Sequence, residues 1–107
     1  MKLKALHSWE ITPKDAVQLQ HKMRDRVVVD TPLDISKIRT VAGVDVSIKN
    51  KQAQAAVTVL SFPDFEPVET ALAQQPARFP YVPGLLSFRE GPVLVEAFER
   101  LKTKPDV

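Results

Sequence analysis

The chain has 107 residues, of which 44% are hydrophobic and 26% charged, a composition that suits one globular domain. Its net charge of +2 permits a polyanionic partner without requiring one. The absence of cysteine excludes a disulfide framework and a thiolate metal site. No signal peptide or long apolar run is visible, so we expect a cytoplasmic protein without a membrane partner.

The first predicted element is a helix over residues 13–26. Thr12 suits the capping position before a helix, Pro13 suits the first helical position, and Asp15 suits the positive helix end. Apolar residues then recur at steps of three and four, which predicts one apolar stripe along the helix. Residues 1–29 therefore form an amino-terminal helical segment in this interpretation.

The middle of the chain changes from a helical period to strict alternation. In the stretch VAGVDVSI every second side chain from Val44 onward is Val or Ile, and Asp45 falls on the opposite face. Short polar turns separate three such segments, a pattern typical of an antiparallel meander. The predicted strands span residues 41–48, 55–62 and 67–73.

A long loop and a second helix complete the predicted order. The helix is expected to follow Gly91-Pro92, with an apolar stripe that continues to Leu101. The ending Lys104–Val107 has the character of the first residues of a further strand. The elements thus predict an α/β fold that consists of a helix, three strands, a long loop and a helix.

Asp45 is the first candidate for a chemical role. Aspartate is disfavoured inside strands, and a buried carboxylate would need a partner or a cation. Two readings stay open from the residues alone. Asp45 is either one ligand of a metal ion or a member of the solvated face that alternation normally produces.

Glu90 is the second candidate, because it precedes the predicted helix and could project from the helix start toward the sheet. Magnesium is held by one or two carboxylates together with water and phosphate oxygens, so Asp45 and Glu90 would meet that need. The alternative is that Glu90 is an ordinary capping carboxylate at a helix amino terminus.

The loop of sequence PYVPG is the third candidate. Its two prolines fix backbone angles, and Gly84 permits close backbone approach to a ligand. A stiff loop with an aromatic tip could insert into a base stack, with Tyr81 at the tip. The alternative is that Tyr81 packs on its own domain. Arg78 and Arg89 flank the loop and could meet phosphates, whereas Trp9 is more plausible as a packing anchor than as a base-stacking platform.

Three strings in this chain resemble the endonuclease V family, in the same order. They are VAGVDVS, which contains Asp45, PYVPGLLSFRE, which ends at Glu90, and the terminal KPDV. The resemblance extends from about Asp30 to Val107, and the second string is highly specific. It implies a ribonuclease-H-like fold and a magnesium-dependent endonuclease of DNA repair, with manganese as an alternative ion. The expected substrate is DNA or RNA that contains deaminated purine, chiefly inosine, cleaved on the 3′ side of the lesion.

The resemblance also implies roles for particular residues. Asp45 and Glu90 would be catalytic metal ligands, and Gly84 and Leu85 would line the pocket for an extruded base. Tyr81 would fill the gap that this base leaves, and Arg89 would contact the nucleic acid. The expected nucleic-acid-binding set is Pro80, Tyr81, Val82, Pro83, Gly84, Leu85 and Arg89.

The family pattern continues with a further metal-binding aspartate and a histidine that this sequence does not contain. We therefore expect a truncated member, in which residues 30–107 form the first half of the ribonuclease-H-like core and activity is weak or absent. A non-catalytic nucleic-acid-binding module and a fragment without function are the alternatives. The Asp45 strand would then have an open edge, through which we expect self-association.

Overall fold

The computed structural model describes all 107 residues. The chain forms a helix, a three-stranded sheet and a second helix. The elements are α1 (Pro13–Arg24), a 3-10 turn (Ile35–Lys37), β1 (Thr40–Lys49), β2 (Gln52–Ser61), β3 (Pro67–Pro76) and α2 (Leu86–Glu99). The strands are antiparallel neighbours in the order β1-β2-β3, so the predicted meander is confirmed. Neither helix has the length and apolarity that a membrane crossing requires.

The start of α1 follows from its local sequence. Thr12 has an extended backbone, and its Oγ1 accepts a hydrogen bond from the Asp15 N–H at 3.2 Å. Pro13 begins the helix, where its missing N–H leaves no bond unmade. The helix ends at Arg24, two residues before the predicted end, because the Arg26 N–H already bonds to the Met23 carbonyl in a turn.

The main apolar interior, which we call the sheet core, lies between the sheet and α2. Alternate residues of β2 and β3 point toward the helix, and apolar residues at steps of four along α2 pack against them. Full burial of one valine stabilises the fold by about 1.5–3 kcal/mol relative to exposure. The sheet core consists of Ala53, Ala55, Val57, Val59, Ala71, Ala73, Val93, Ala97 and Leu101.

A second core lies beyond the end of the sheet. It joins α1, the connection between β3 and α2, and the first turn of α2. Trp9, Ile11, Leu19 and Val82 pack around it as partly buried neighbours. The second core consists of Ala16, Phe79, Leu85 and Phe88.

The predicted start of α2 is wrong, because the helix begins at Leu86 rather than after Gly91-Pro92. Pro92 lies inside the helix, where it cannot donate the hydrogen bond to the fourth residue before it. Burial of Leu85 and Phe88 in the second core outweighs this local disadvantage. As a consequence, Glu90 lies within the helix and not ahead of it.

The segment Lys104–Val107 runs along the outer edge of β1. The Asp106 N–H donates to the Thr40 carbonyl at 3.2 Å, and the Ala42 N–H donates to the Val107 carbonyl at 2.7 Å. Since alternate residues of a strand point their backbone groups to the same side, the N–H and C=O groups of Val44 and Ile48 also point to this edge.

Candidate nucleic-acid interface and carboxylate site

The connection between β3 and α2 is anchored at both ends in the second core. Phe79 and Leu85 are buried there, and the five residues between them, Pro80–Gly84, form a protruding segment that we call the proline loop. Val82 packs partly against the second core, while its neighbours Tyr81 and Pro83 are exposed. The loop is therefore a short bridge between two buried side chains.

A tight turn closes the proline loop. The Leu85 N–H donates to the Val82 carbonyl at 3.0 Å, with Pro83 and Gly84 as the central residues of the turn. Gly84 has φ +88°, a conformation that is readily available only to glycine. Proline followed by a residue of positive φ is the pattern of a type II turn. The backbone thus gives Gly84 a reason to be glycine that does not depend on a ligand.

Two side chains brace the proline loop by hydrogen bonds to its backbone. Arg89 of α2 donates from Nη1 to the Phe79 carbonyl at 2.9 Å. Gln20 of α1 donates from Nε2 to the Gly84 carbonyl at 3.0 Å. Arg89, predicted to contact nucleic acid, therefore uses part of its guanidinium within the chain, although its other N–H donors keep that prediction open.

Tyr81 is largely exposed, with 73% of its surface accessible. The alternative in which Tyr81 packs on its own domain is therefore wrong. Arg78, at the foot of the loop, is also exposed and makes no hydrogen bond within the chain. The connection thus exposes an aromatic ring and, three residues earlier, a cation, the two kinds of group that bind single-stranded nucleic acid.

Asp45 lies on the face of the sheet that turns away from α2. Its cross-strand partner is Ala56, whereas the alternate residues Ala55 and Val57 of β2 point into the sheet core. The side chain is exposed, and its Oδ1 accepts a hydrogen bond from the Val46 N–H at 3.0 Å. In this chain Asp45 thus belongs to the solvated face that alternation predicts.

Glu90 lies in the second turn of α2, at helical spacing from Val93 and Ala97, which pack on the sheet. It is half-buried, and its side chain takes part in no hydrogen bond or ion pair. The residue at the capping position is Leu85, which makes no side-chain cap bond. The alternative in which Glu90 caps the helix is therefore wrong.

The two candidate carboxylates do not share a hydrogen-bond partner, and no group of three or more acidic or histidine side chains is placed to hold a metal ion. Carboxylate oxygens are the donors that Mg²⁺ prefers, so the chemistry of Asp45 and Glu90 fits this ion. The chain by itself therefore supplies two carboxylates of the right kind, but they are not part of a cluster of three or more metal ligands.

Two further carboxylates, to which the sequence analysis gave no role, connect distant segments by accepting hydrogen bonds from backbone N–H groups. Asp106 Oδ2 accepts hydrogen bonds from the N–H groups of Arg39, at 2.7 Å, and Thr40, at 3.1 Å, and these bonds lower the pKa of Asp106. Glu69 accepts from the N–H groups of Lys102 and Thr103, both at 2.8 Å, and its pKa is lowered for the same reason.

Gln20 was also missed, although a signal exists. It follows the fully buried Ala16 by four residues and therefore lies on the same face of α1. A polar residue in line with the apolar stripe of a helix is a candidate for a hydrogen bond at the rim of a core.

Comparison with known sequences places this arrangement among nucleases. The family model described as Endonuclease V matches residues 21–107. The endonuclease V of Nostoc punctiforme is 44% identical over 109 residues, which cover 100% of this chain and 49% of that protein. That of Dehalococcoides mccartyi is also 44% identical over 109 residues, covering 100% and 48%. The chain spans about half the length of the curated relatives it matches.

Solved structures give the same result. The Bacillus subtilis endonuclease V superposes with a TM-score of 0.90 at 28% identity, covering 99% of this chain and 47% of that one. A Ciona intestinalis endonuclease V in complex with DNA containing an inosine gives a TM-score of 0.75 at 28% identity, covering 88% and 42%. These neighbours have a ribonuclease-H-like fold, so the predicted fold class is confirmed.

Proposed function

Because the chain belongs to the endonuclease V family, we propose that it recognises deaminated purines, chiefly inosine, in DNA as part of a repair nuclease. The observation that carries this proposal is the exposed Tyr81 ring on a loop whose two ends are buried and hydrogen-bonded. A related protein has been crystallised on inosine-containing DNA, which supports DNA as the partner.

The proline loop is suited to hold a duplex open. Extrusion of a base costs a few kcal/mol, and least where the pair is already weakened by damage. Stacking of an aromatic ring on a base offsets about 1–3 kcal/mol of this. Since Tyr81 is already presented in a fixed loop, little conformational entropy is lost when it enters the gap. Gly84 and Leu85, which follow Tyr81 in the same connection, are the residues that we propose to receive the extruded base.

Asp45 and Glu90 are the residues that we propose to hold Mg²⁺, with Mn²⁺ as a substitute. The ion would supply Lewis-acid assistance to phosphodiester hydrolysis. Since no third acidic or histidine side chain joins these two carboxylates, we expect weak metal binding and a cleavage rate on the order of 10²–10³-fold below that of a complete site.

Binding to two matched duplexes, one with and one without the lesion, tests the recognition step. Anisotropy titrations of the full chain would compare a duplex with one inosine against the same duplex without it. We expect a preference for inosine that falls about fivefold or more in Tyr81→Ala, given a stacking energy of about 1–3 kcal/mol. Tyr81→Phe, which keeps the ring, should retain the preference. Equal affinity of the wild type for both duplexes would contradict lesion recognition.

A cleavage assay separates the nuclease from the second candidate, a non-catalytic nucleic-acid-binding module. The half-buried, unpaired Glu90 favours the nuclease, because an acidic side chain without a partner there has no evident structural role. Slow Mg²⁺-dependent nicking that disappears in Glu90→Gln would support the nuclease. Inosine-selective binding without any nicking, on DNA and on a matching RNA, would support the binding module instead.

A further inference from the structure

One of the two hydrogen bonds that brace the proline loop comes from a distant part of the chain. Arg89 follows the loop directly, but Gln20 belongs to α1, 64 residues earlier than Gly84 in the chain. The contact therefore exists only because α1 is docked beside the loop. Residue 20 also lies just outside the span 21–107 that the family model matches.

The docking of α1 on the second core brings Gln20 to the proline loop. Ala16 is fully buried in the second core together with Phe79 and Leu85, the two anchors of the proline loop. Gln20 lies one turn further along the same face, so its amide reaches the rim of the second core, where Gly84 is exposed. The helix thus offers the loop an apolar contact and a donor side by side.

The position of the hydrogen bond matters because Gly84 is the most adaptable residue of the loop. Glycine has access to many backbone conformations, and the turn needs one with φ +88°. A donor fixed on the Gly84 carbonyl holds the peptide plane that follows this residue. Without it, the turn between Val82 and Leu85 depends on a single internal hydrogen bond.

We propose that α1 is a clamp on the proline loop and that Gln20 is a positioning residue, which holds Gly84 so that Tyr81 enters the base stack in one orientation. This inference rests on the proposed function for its DNA step. The clamp itself is a property of the free protein.

The test compares Gln20→Glu with Gln18→Glu in the full chain. Both add one negative charge to α1, so their general effect on DNA affinity is matched, but only the first removes the donor that faces Gly84. Gln18 is exposed on the same helix, and its side chain makes no hydrogen bond within the chain. Gln20→Asn is a second control, because its shorter amide should restore the contact only in part.

The first measurement uses the protein without DNA. Tyr81 is the only tyrosine, so incorporation of 3-fluorotyrosine gives a single ¹⁹F signal, and the Leu85 amide reports on the turn by hydrogen exchange. We expect Gln20→Glu to broaden or shift the signal and to speed exchange at Leu85 about two- to tenfold. Unchanged behaviour relative to Gln18→Glu would overturn the clamp.

The second measurement places 2-aminopurine beside inosine in a duplex and follows its fluorescence as a report on unstacking. With the wild type we expect an increase on binding, which Gln20→Glu reduces about two- to tenfold relative to Gln18→Glu. Equal signals from the two variants would overturn the positioning role in DNA. If the wild type itself gives no increase, the proposed lesion recognition fails, while the first measurement still decides whether α1 clamps the loop.

Discussion

The indole ring of Trp9 occupies the space where a Cβ atom on Gly91 would stand, with its Cζ3 atom only 2.6 Å from that position. Trp9 also packs edge-on against His7 and Phe88, at centroid distances of 4.5 and 6.1 Å. The segment before α1 therefore rests directly on the second turn of α2, next to Glu90. Its interpretation as a packing anchor is confirmed.

We predict that Gly91→Ala destabilises the protein although alanine is the better helix former. The helix would gain about 1 kcal/mol, while displacement of the indole costs about 1–3 kcal/mol. Urea unfolding should show a net loss, and the emission of Trp9, the only tryptophan, should shift to longer wavelength. Gly43→Ala, where a Cβ meets nothing within 4 Å, is the control. An unchanged emission spectrum in Gly91→Ala would contradict the contact.

A second prediction concerns the positive φ of Gly84. Gly84→Ala should lower the free energy of unfolding by about 1–2 kcal/mol, because an L side chain is strained in the left-handed region. Gly84→Asn should be milder, since asparagine tolerates this region better. The added Cβ has open space around it, so an equal effect of the two substitutions would indicate that strain is not the cause.

The third prediction is a pH dependence. Hydrogen bonds from the Arg39 and Thr40 N–H groups lower the pKa of Asp106 in the folded protein. A carboxylate of this kind stabilises the fold above its ordinary pKa of about 4, and this contribution is lost as the pH falls through the lower folded value. The stability difference between wild type and Asp106→Asn should therefore be largest near neutral pH and shrink below about pH 4.

Urea unfolding at a series of pH values checks this difference. Asp30→Asn is the control, because Asp30 is exposed and makes no hydrogen bond or ion pair. A difference between wild type and Asp106→Asn that stays constant from neutral pH to pH 3 would show that the Asp106 carboxylate does not hold these amides in solution.

A fourth prediction follows from the edge of β1. Val44 is 48% exposed and points its backbone N–H and C=O groups outward, beyond the two hydrogen bonds made by Asp106 and Val107. An apolar edge with free backbone groups is a template for pairing with another chain. We expect the protein to self-associate, and Val44→Lys to weaken the association about tenfold.

Sedimentation at several protein concentrations measures this association. Leu72→Lys adds the same charge at an exposed apolar residue of β3, away from the β1 edge, and should have little effect. A compact monomer with a sharp cooperative melt at all concentrations would rule out pairing through this edge.

Much of the fold could be predicted from local signals. The alternation in β1 and the capping pair Thr12-Pro13 act over a few residues, and both lie where the sequence predicts. The start of α2 could not be predicted in this way. Gly91-Pro92 is a common helix boundary, and only the distant second core, through Phe88, makes the helix begin earlier.

In the candidate site, too, local patterns identified some residues and missed others. Residue patterns and the motif resemblance together identified Asp45, Glu90 and the proline loop, and their catalytic and binding roles stay predictions. The roles of Gln20 and Asp106 were not visible, because their side chains bind backbone groups 64 and 66 residues away. Side-chain contacts of that kind depend on how elements dock, which no local pattern records.

The position of α2 in both cores has a mechanical consequence. Phe88 belongs to the second core and Val93 to the sheet core, so Glu90 lies between the parts of α2 that pack in the two cores. Between these parts Pro92 removes one helical hydrogen bond, which makes this the easiest place for α2 to bend. A force on the proline loop, such as a base pressed against Tyr81, would therefore be relieved there and would turn the Glu90 carboxylate. We therefore expect that engagement of the loop would change the direction of this carboxylate.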